Sequence, residues 1–398
     1  MASLHPLHRA WRWLPAGPRR RALFAAAAAL APRPDQPAPV VQGGIAVGGE
    51  LDRASGLGEG ARLLLRGLEG LGVPCWPLRP GVALPPGAAL LLHVNPPDMP
   101  RALLRLGRAM LRGRRVIGYW AWGLPVAPAA WRGGAPFVHE VWTPSRFTAT
   151  ALEPLAPGRV RAVPYAMAPH PPAPSALGRA ELGLPADAVV TLVAFNLASS
   201  FERKNPLGAI SAHRQAFGAR ADRVLLLRVG NPHHFPADFA RLQAAVADLP
   251  NVRLDTRTLP AADNHAVMAV CDIVLSLHRS EGFGLVPAEA MLLGVPVVAT
   301  DWSATTEFLD ARCAAPVPCR LVPAGDARGI YGVPGAQWAE PDMAAAAAQL
   351  CRLADDPAAR RILGLAGQRA ARERLGAEPL AAAVRSLGLD AGRLPCGS

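Results

Sequence analysis

The feature that most constrains this chain is an alternation that runs twice. Short apolar runs alternate with longer segments whose apolar residues recur at helical spacing. In the first pass, VVQGGIAVGG (40–49), VPCWPL, AALLLHV and RRVIGYW read as strands. SGLGEGARLLLRGLEGLG (55–72) and PRALLRLGRAMLRG read as helices between them. FVHEVWTPSRFTATAL reads as a strand, a turn and a helix beginning near Ser145. A Pro- and Ala-rich stretch, APHPPAPSALGRAELGLPAD (168–187), then interrupts the pattern as a linker does.

The alternation restarts at AVVTLVAFN (188–196) and passes through DRVLLLRVG, NVRLD, DIVLSLH (272–278) and VPVVAT as strands. The segments between these strands read as helices, including the short PAEAMLLG with Pro287 near its start and Gly294 at its stop. From about residue 342 the chain reads as helices. Strands separated by helices make parallel sheets covered on both faces. The expected fold is α/β, with two Rossmann-like domains facing each other across a cleft. The expected division is a basic, Pro-rich lead-in (1–39), a first domain (40–170), a linker (171–187), a second domain (188–374) and a helical tail (375–398). Ligands of such sheets bind beyond the carboxyl ends of the strands.

Composition narrows the function classes. The 398 residues are 51% hydrophobic, enough for two cores. Formal net charge is +12, which suits a solvated surface, an anionic substrate or a membrane surface. The arginines follow no helix-turn-helix, RNP or zinc pattern, so no nucleic acid partner is expected. The six cysteines form no C-x-x-C pair, and they read as reduced thiols of a cytosolic protein with no metal site. No apolar run reaches the roughly 20 residues that span a bilayer. RRRALFAAAAALAP (19–32) places arginines before an apolar run, and it reads as a basic tail or interfacial anchor rather than an export signal.

The chemistry concentrates in SEGFGLVPAEAMLLGVPVVAT (280–300). Glu281 and Glu289 flank a Gly-Phe-Gly turn between a strand end and a short helix. Glycines let the backbone approach a ligand, and the helix N-terminus offers free N–H groups to an anion. An ionised carboxylate only accepts hydrogen bonds, which suits sugar or ribose hydroxyls. Lys204 in FERKNPLGAI is the chain's single lysine, so 41 of the 42 basic residues are arginine. A compact ammonium persisting there suggests a site crowded around a phosphate pair, where a planar guanidinium does not substitute.

EGFGLVPAE resembles the E-x7-E motif of retaining glycosyltransferase family 4, enzymes of the GT-B fold, and the two-domain reading covers nearly the whole chain in the same way. SGLGEGARLL is similar to that family's first glycine-rich loop, FERKNPLGAI to the segment after the first strand of its second domain, and WAEPD (338–342) to its closing region. The resemblance implies that Glu289 binds the ribose hydroxyls and Glu281 contacts the donor sugar. It implies that the backbone of Gly282, Phe283, Gly284 and Leu285 lies along sugar and diphosphate, that Lys204 with Arg203 neutralises the diphosphate, and that the loop of Gly56 and Gly58 faces it. Many members carry a His near the strand end at 115–125; here Tyr119, Trp120, Trp122 and Gly123 stand instead. Trp120, Trp122, Asn95 and His139 are the candidates for sugar or acceptor contacts, with core and turn roles as their alternatives. Asp301 and Glu307 are left open.

The implied activity is transfer of a sugar, with retention, from a nucleotide-diphosphate donor to a glycan or lipid-linked acceptor. No cofactor beyond the donor is expected, and contact with the inner face of a membrane is compatible with the basic N-terminus. Another GT-B reaction, such as nucleotide-sugar epimerisation or inverting transfer, and a non-catalytic sugar- or membrane-binding relative are the alternatives.

Overall fold

The computed structural model describes residues 16–392. Residues 1–15 of the lead-in and Cys396 lie outside that range. The rest of the lead-in is not a free tail. Helix α1 (Ala16–Leu30) packs on the first domain, where the Phe24 ring fills the space left by Gly133 and Ala31 is buried. Asp35 then accepts from Gly113 N at 2.7 Å and from Arg108 Nη2 at 2.5 Å, and Arg33 sits 3.9 Å above the Phe137 ring.

The first domain holds β1 (Ile45–Gly48), β2 (Cys75–Pro77), β3 (Ala89–Leu92), β4 (Val116–Tyr119), β5 (Glu140–Thr143) and β6 (Val160–Ala162). They form one parallel sheet in the order β2-β1-β3-β4-β5-β6. Every residue of β1, β3 and β4 is buried, as strands covered on both faces require. The covering helices include α2 (Gly56–Gly70), α3 (Met99–Leu111) and α4 (Arg146–Leu152). Ser55 and Ser145 cap α2 and α4 by accepting from Gly58 N and Thr148 N.

The second domain repeats the design with β7 (Val189–Asn196), β8 (Arg223–Gly230), β9 (Val252–Asp255), β10 (Ile273–Ser276), β11 (Val297–Thr300) and β12 (Ala315–Val317). Their order is β12-β11-β10-β7-β8-β9, again parallel throughout. Its helices are α5 (Phe201–Lys204), α6 (Pro206–Phe217), α7 (Pro236–Val246), α8 (Ala261–Ala269), α9 (Leu285–Leu292), α10 (Met343–Asp355) and α11 (Pro357–Arg374). The tail forms α12 (Glu378–Ser386), which returns to the first domain. Leu380 packs against Gly67, Arg161 Nη1 donates to Ser386 Oγ at 2.8 Å, and Gly392 N donates to Leu71 O at 3.0 Å.

One element was absent from the sequence reading. β13 (Cys319–Pro323) and β14 (Gln337–Pro341) pair antiparallel and form an arm of the second domain, so WAEPD is mostly strand rather than a lead into helix. Arg279 anchors the arm with a two-pronged contact to Glu340 at 2.8 and 3.1 Å, and Arg328 pairs with Asp238. Trp338 and Tyr331 of the arm join the first domain's apolar cluster around Trp122 and Trp131, so the arm bridges the two domains.

Candidate functional site

The site is built where β7 and β10, neighbours at the centre of the second sheet, release their carboxyl ends. After β7 the chain turns through Ser200 at φ +84° and makes the single turn α5. Asn205, in the left-handed region, ends α5 and caps α6; its Nδ2 donates to Leu277 O at 3.0 Å, which ties the turn to the strand end. Arg203 and Lys204 are thereby aimed at Glu281. Arg203 Nη1 lies 2.9 Å from one carboxylate oxygen and Lys204 Nζ 2.5 Å from the other. Arg203 also donates to the carbonyls of Ser280 and Ser199, at 2.8 and 3.2 Å.

Glu281 is 7% exposed. Burial alone raises a carboxyl's pKa, but Lys204 and Arg203 outweigh it and hold Glu281 well below the ordinary range. Burial pushes the Lys204 ammonium down, against the pull of Glu281. Two cations share one carboxylate, so the cluster retains one positive charge with little water around it. Lys204 spends one of its three donors on Glu281, and its side chain remains 19% exposed. An anion placed beside it would meet a preorganised cation.

Glu289 sits in the first turns of α9, behind Gly284 at φ +103°. It is partly exposed, and among the described residues its carboxylate has no hydrogen-bond partner. Burial, then the nearby charge of Glu59 on α2, push it up to about 8. Glu59 is itself held by Arg62 and Arg66 at 2.8 and 2.6 Å. The glycine loop before α2 leans on the second domain: Asn196 Nδ2, at the end of β7, donates to Ala54 O at 3.4 Å. Gly58 leaves no room for a side chain, since a Cβ there would lie 2.4 Å from Arg53 O, whereas Gly56 faces open space.

Between the carboxylates, the turn is clamped by the first domain. Gly282 O accepts from Ser145 Oγ at 2.7 Å and Thr148 Oγ1 at 3.1 Å, and a Cβ at Gly282 would lie 2.4 Å from Trp122 O. Phe283 is buried edge-on to Tyr165, with ring centroids 5.0 Å apart. Leu285 opens α9 and is partly buried. Glu307, left open by the sequence, accepts from Arg146 N and Phe147 N at 3.1 and 2.8 Å. Two cavities, about 310 Å³ at the β9 edge and about 300 Å³ behind Phe283, lie away from Lys204, Glu281 and Glu289.

Several expected contacts face the core instead. The Glu281 carboxylate, expected on the donor sugar, pairs here with Arg203 and Lys204. Arg203 is only 8% exposed and supports the cluster from beneath. Trp120 is fully buried and offers no ring face to a ligand. Trp122 is 5% exposed, with Nε1 donating to Val126 O and its face taken by Tyr331. His139 is a structural tie: Nδ1 accepts from Val116 N and Nε2 meets Asp35 O, both at 2.8 Å. Asn95 Oδ1 accepts from Ala121 N at 2.9 Å, as a turn residue does.

Of the buried histidines that went unread, two lie at strand ends. His278, two residues past β10, contacts Ser276 Oγ and Thr305 Oγ1 at 3.0 and 3.2 Å beneath Glu281, and burial pushes it down to about 4. His93, just after β3, lies 2.8 Å from the Tyr165 hydroxyl and stacks on Tyr119, and burial pushes it too down to about 4. Both are neutral at pH 7. Their position at strand ends was the available signal.

Two parallel six-stranded sheets, joined by a linker and a returning C-terminal helix, with a charged site at the carboxyl ends of the second, define the GT-B architecture. Residues 197–356, which contain Arg203, Lys204, Glu281 and Glu289, match the family model described as Glycosyl transferases group 1. No curated protein sequence matches the chain significantly. Among solved structures, the chain is similar to Anabaena HepE in complex with UDP and glucose, at 16% identity and TM-score 0.57, covering 83% of each chain. It is similar to sucrose-phosphate synthase from Thermosynechococcus elongatus at 20% identity and TM-score 0.55, covering 75% of this chain and 73% of that one. A glycosyltransferase from Rickettsia africae matches at 10% identity and TM-score 0.58, with 86% and 96% covered.

Proposed function

We propose that the protein transfers a sugar from a nucleotide-diphosphate donor to a hydroxyl acceptor with retention, as the resemblance to glycosyltransferase family 4 implies. The observation that carries the reading is the buried Lys204–Arg203–Glu281 cluster, which retains one positive charge, followed along the chain by Glu289 in α9, unpartnered among the described residues. A nucleoside diphosphate complements both halves. Its diphosphate answers the surplus charge, and its ribose hydroxyls answer the free carboxylate. UDP is the favoured nucleotide, because HepE, similar in fold over most of the chain, was solved with UDP and glucose.

In the reaction the leaving diphosphate gains charge as the sugar–oxygen bond breaks. Lys204 stabilises that charge, Arg203 and Glu281 keep Lys204 in place, and the N-terminus of α9 adds free N–H groups. The leaving phosphate takes the acceptor's proton on the same face, which retains the anomeric configuration. The lysine and arginine fill the role a divalent cation fills elsewhere.

The acceptor we favour is a lipid-linked or cell-surface glycan, reached from the cytoplasmic side of a membrane. Exposed Arg101, Leu104 and Arg105 on α3 offer basic and apolar contacts of the kind an anionic surface binds. Among the described residues no helix is long and apolar enough to cross a membrane. A thermal-shift panel of UDP-, GDP- and ADP-sugars tests the donor. One nucleotide should raise the unfolding temperature, and Lys204→Ala should abolish the rise. No shift with any of them, or a shift that survives Lys204→Ala, removes the proposal.

A further inference from the structure

The arm that bridges the domains ends directly over the cluster. Arg203 is bounded on one side by Glu281, Ser280 O and Ser199 O, which belong to its own domain. Two further contacts come from the first domain and the arm. Gly123 of the first domain presents bare backbone, and a Cβ there would lie 3.6 Å from Arg203 Cδ. The Tyr331 ring of the arm covers the guanidinium, with Cζ 5.4 Å from its centroid. The other side of Tyr331 is committed to the first domain. It stacks on Trp122 with centroids 5.2 Å apart and planes within 15°. Trp122 is fixed in turn by its Nε1 bond to Val126 O and by the edge of Trp131 at 4.7 Å. Asp326 Oδ1 accepts from Tyr331 N at 2.7 Å and fixes the ring's backbone.

We infer that Tyr331 is a positioning residue that holds Arg203 on Glu281, and that its stack on Trp122 makes this support available only when the domains are closed. The inference rests on the diphosphate reading of the site. An open cleft separates Trp122 from Tyr331 and Gly123 from Arg203, so the ring loses the stack that fixes it on the guanidinium. Closure rebuilds both supports. The arm therefore links domain closure to the order of the cations that meet the leaving group. The ring over a desolvated guanidinium is the main contact, and the hydroxyl, which also meets Arg203, adds a smaller one.

The test is a double-mutant cycle on the full chain. Donor hydrolysis is followed as release of UDP from UDP-glucose, or of whichever nucleotide stabilises the wild type, beside the affinity for the free nucleotide. Tyr331→Leu should lower kcat about tenfold and leave KM within about twofold, the size expected for a lost cation–π contact. Tyr331→Phe, which keeps the ring and loses the hydroxyl, should restore kcat to within about threefold of wild type. In an Arg203→Ala background, Tyr331→Leu should change kcat by less than about twofold, because the residue it acts through is gone. Equal losses in both backgrounds, an unchanged kcat in Tyr331→Leu, or failure of Tyr331→Phe to restore it overturns the inference. A wild type that neither binds nor hydrolyses any nucleotide sugar instead overturns the functional reading beneath it.

Discussion

Glu281 and Glu289 stand eight positions apart, one in the loop before α9 and one within that helix, and end in opposite states. Glu281 is buried, ionised and saturated by two cations. Glu289 is half-buried and unpartnered, with its pKa pushed up to about 8. The sequence presents them as twins, so the difference is made entirely by what other segments bring to each. α5 delivers two positive side chains to the first, and α2 brings Glu59 near the second. Under the proposed function this is a division of labour: one carboxylate serves as the counter-ion of the site, and the other as an acceptor for a ligand.

The largest way to break this comparison is Glu281→Gln. The substitution keeps shape and removes charge, leaving two buried cations without a counter-ion. Removal of one partner from a buried pair costs about 3–5 kcal/mol, so the second domain should unfold at markedly lower urea and transfer should vanish. If Glu281→Gln matches wild type in urea, the carboxylate is not the counter-ion described here. The pH profile carries the same information. A carboxyl held below its ordinary value adds stability above the ordinary range, and that stability is lost as pH falls through it. Wild type should lose stability on acidification below about pH 4.5, and Glu281→Gln should lose less.

Lys204→Ala separates organisation from chemistry. It leaves one cation on one carboxylate, a neutral pair, so the stability change should be small. Activity should fall about 10²–10³-fold, the scale for losing one preorganised donor at a developing oxyanion. Lys204→Arg should keep the fold and lose most turnover, because a planar fork does not fit where Nζ sits 2.5 Å from Glu281. Near-normal activity in Lys204→Arg sinks the argument from the single lysine.

The loop between the two carboxylates gives a smaller effect. Gly282→Ala places a Cβ 2.4 Å from Trp122 O. Backbone meets backbone there, so the domains must part or the loop must shift, at about 1–3 kcal/mol. Both carboxylates should remain in their own environments, while Ser145 and Thr148 lose Gly282 O. A crystal structure of the variant with an unmoved loop contradicts the clamp.

How much of this was legible follows the range of the interactions. The two sheets were readable because apolar runs and helical spacing are local signals. The helix start at Ser145 was readable because an N-cap is a side-chain property. Glu281, Glu289 and Lys204 were found as chemistry-bearing residues, but the sequence could not say that 204 and 281, 77 positions apart, share a salt bridge. The arm stayed hidden because PAGDARGIYGVPGAQW has no period and reads as loop; Tyr331 and Trp338 gain meaning only from aromatic partners far away in sequence. Trp120 and Trp122 were misread for the converse reason. A strand-end aromatic looks the same in sequence whether it faces a cleft or a core, and only packing tells the two apart.

Glu289→Gln gives the smallest effect and the sharpest contrast with Glu281. A carboxyl whose folded pKa is raised binds a proton more readily folded than unfolded, so its contribution falls as pH rises from about 4.5 towards about 8. Wild type should therefore lose stability across that window relative to Glu289→Gln, opposite in sign to the Glu281 effect and in a higher pH range. If ribose hydroxyls donate to Glu289, the ionised form is the better acceptor, and nucleotide binding near pH 7 should expel part of a proton. Calorimetry of UDP binding in two buffers of different ionisation enthalpy measures that release, and Glu289→Gln should abolish it while weakening affinity about tenfold, the lower end for a hydrogen bond to a charged group. Identical proton release in wild type and Glu289→Gln makes the two carboxylates alike in their indifference to the ligand, and the division of labour fails.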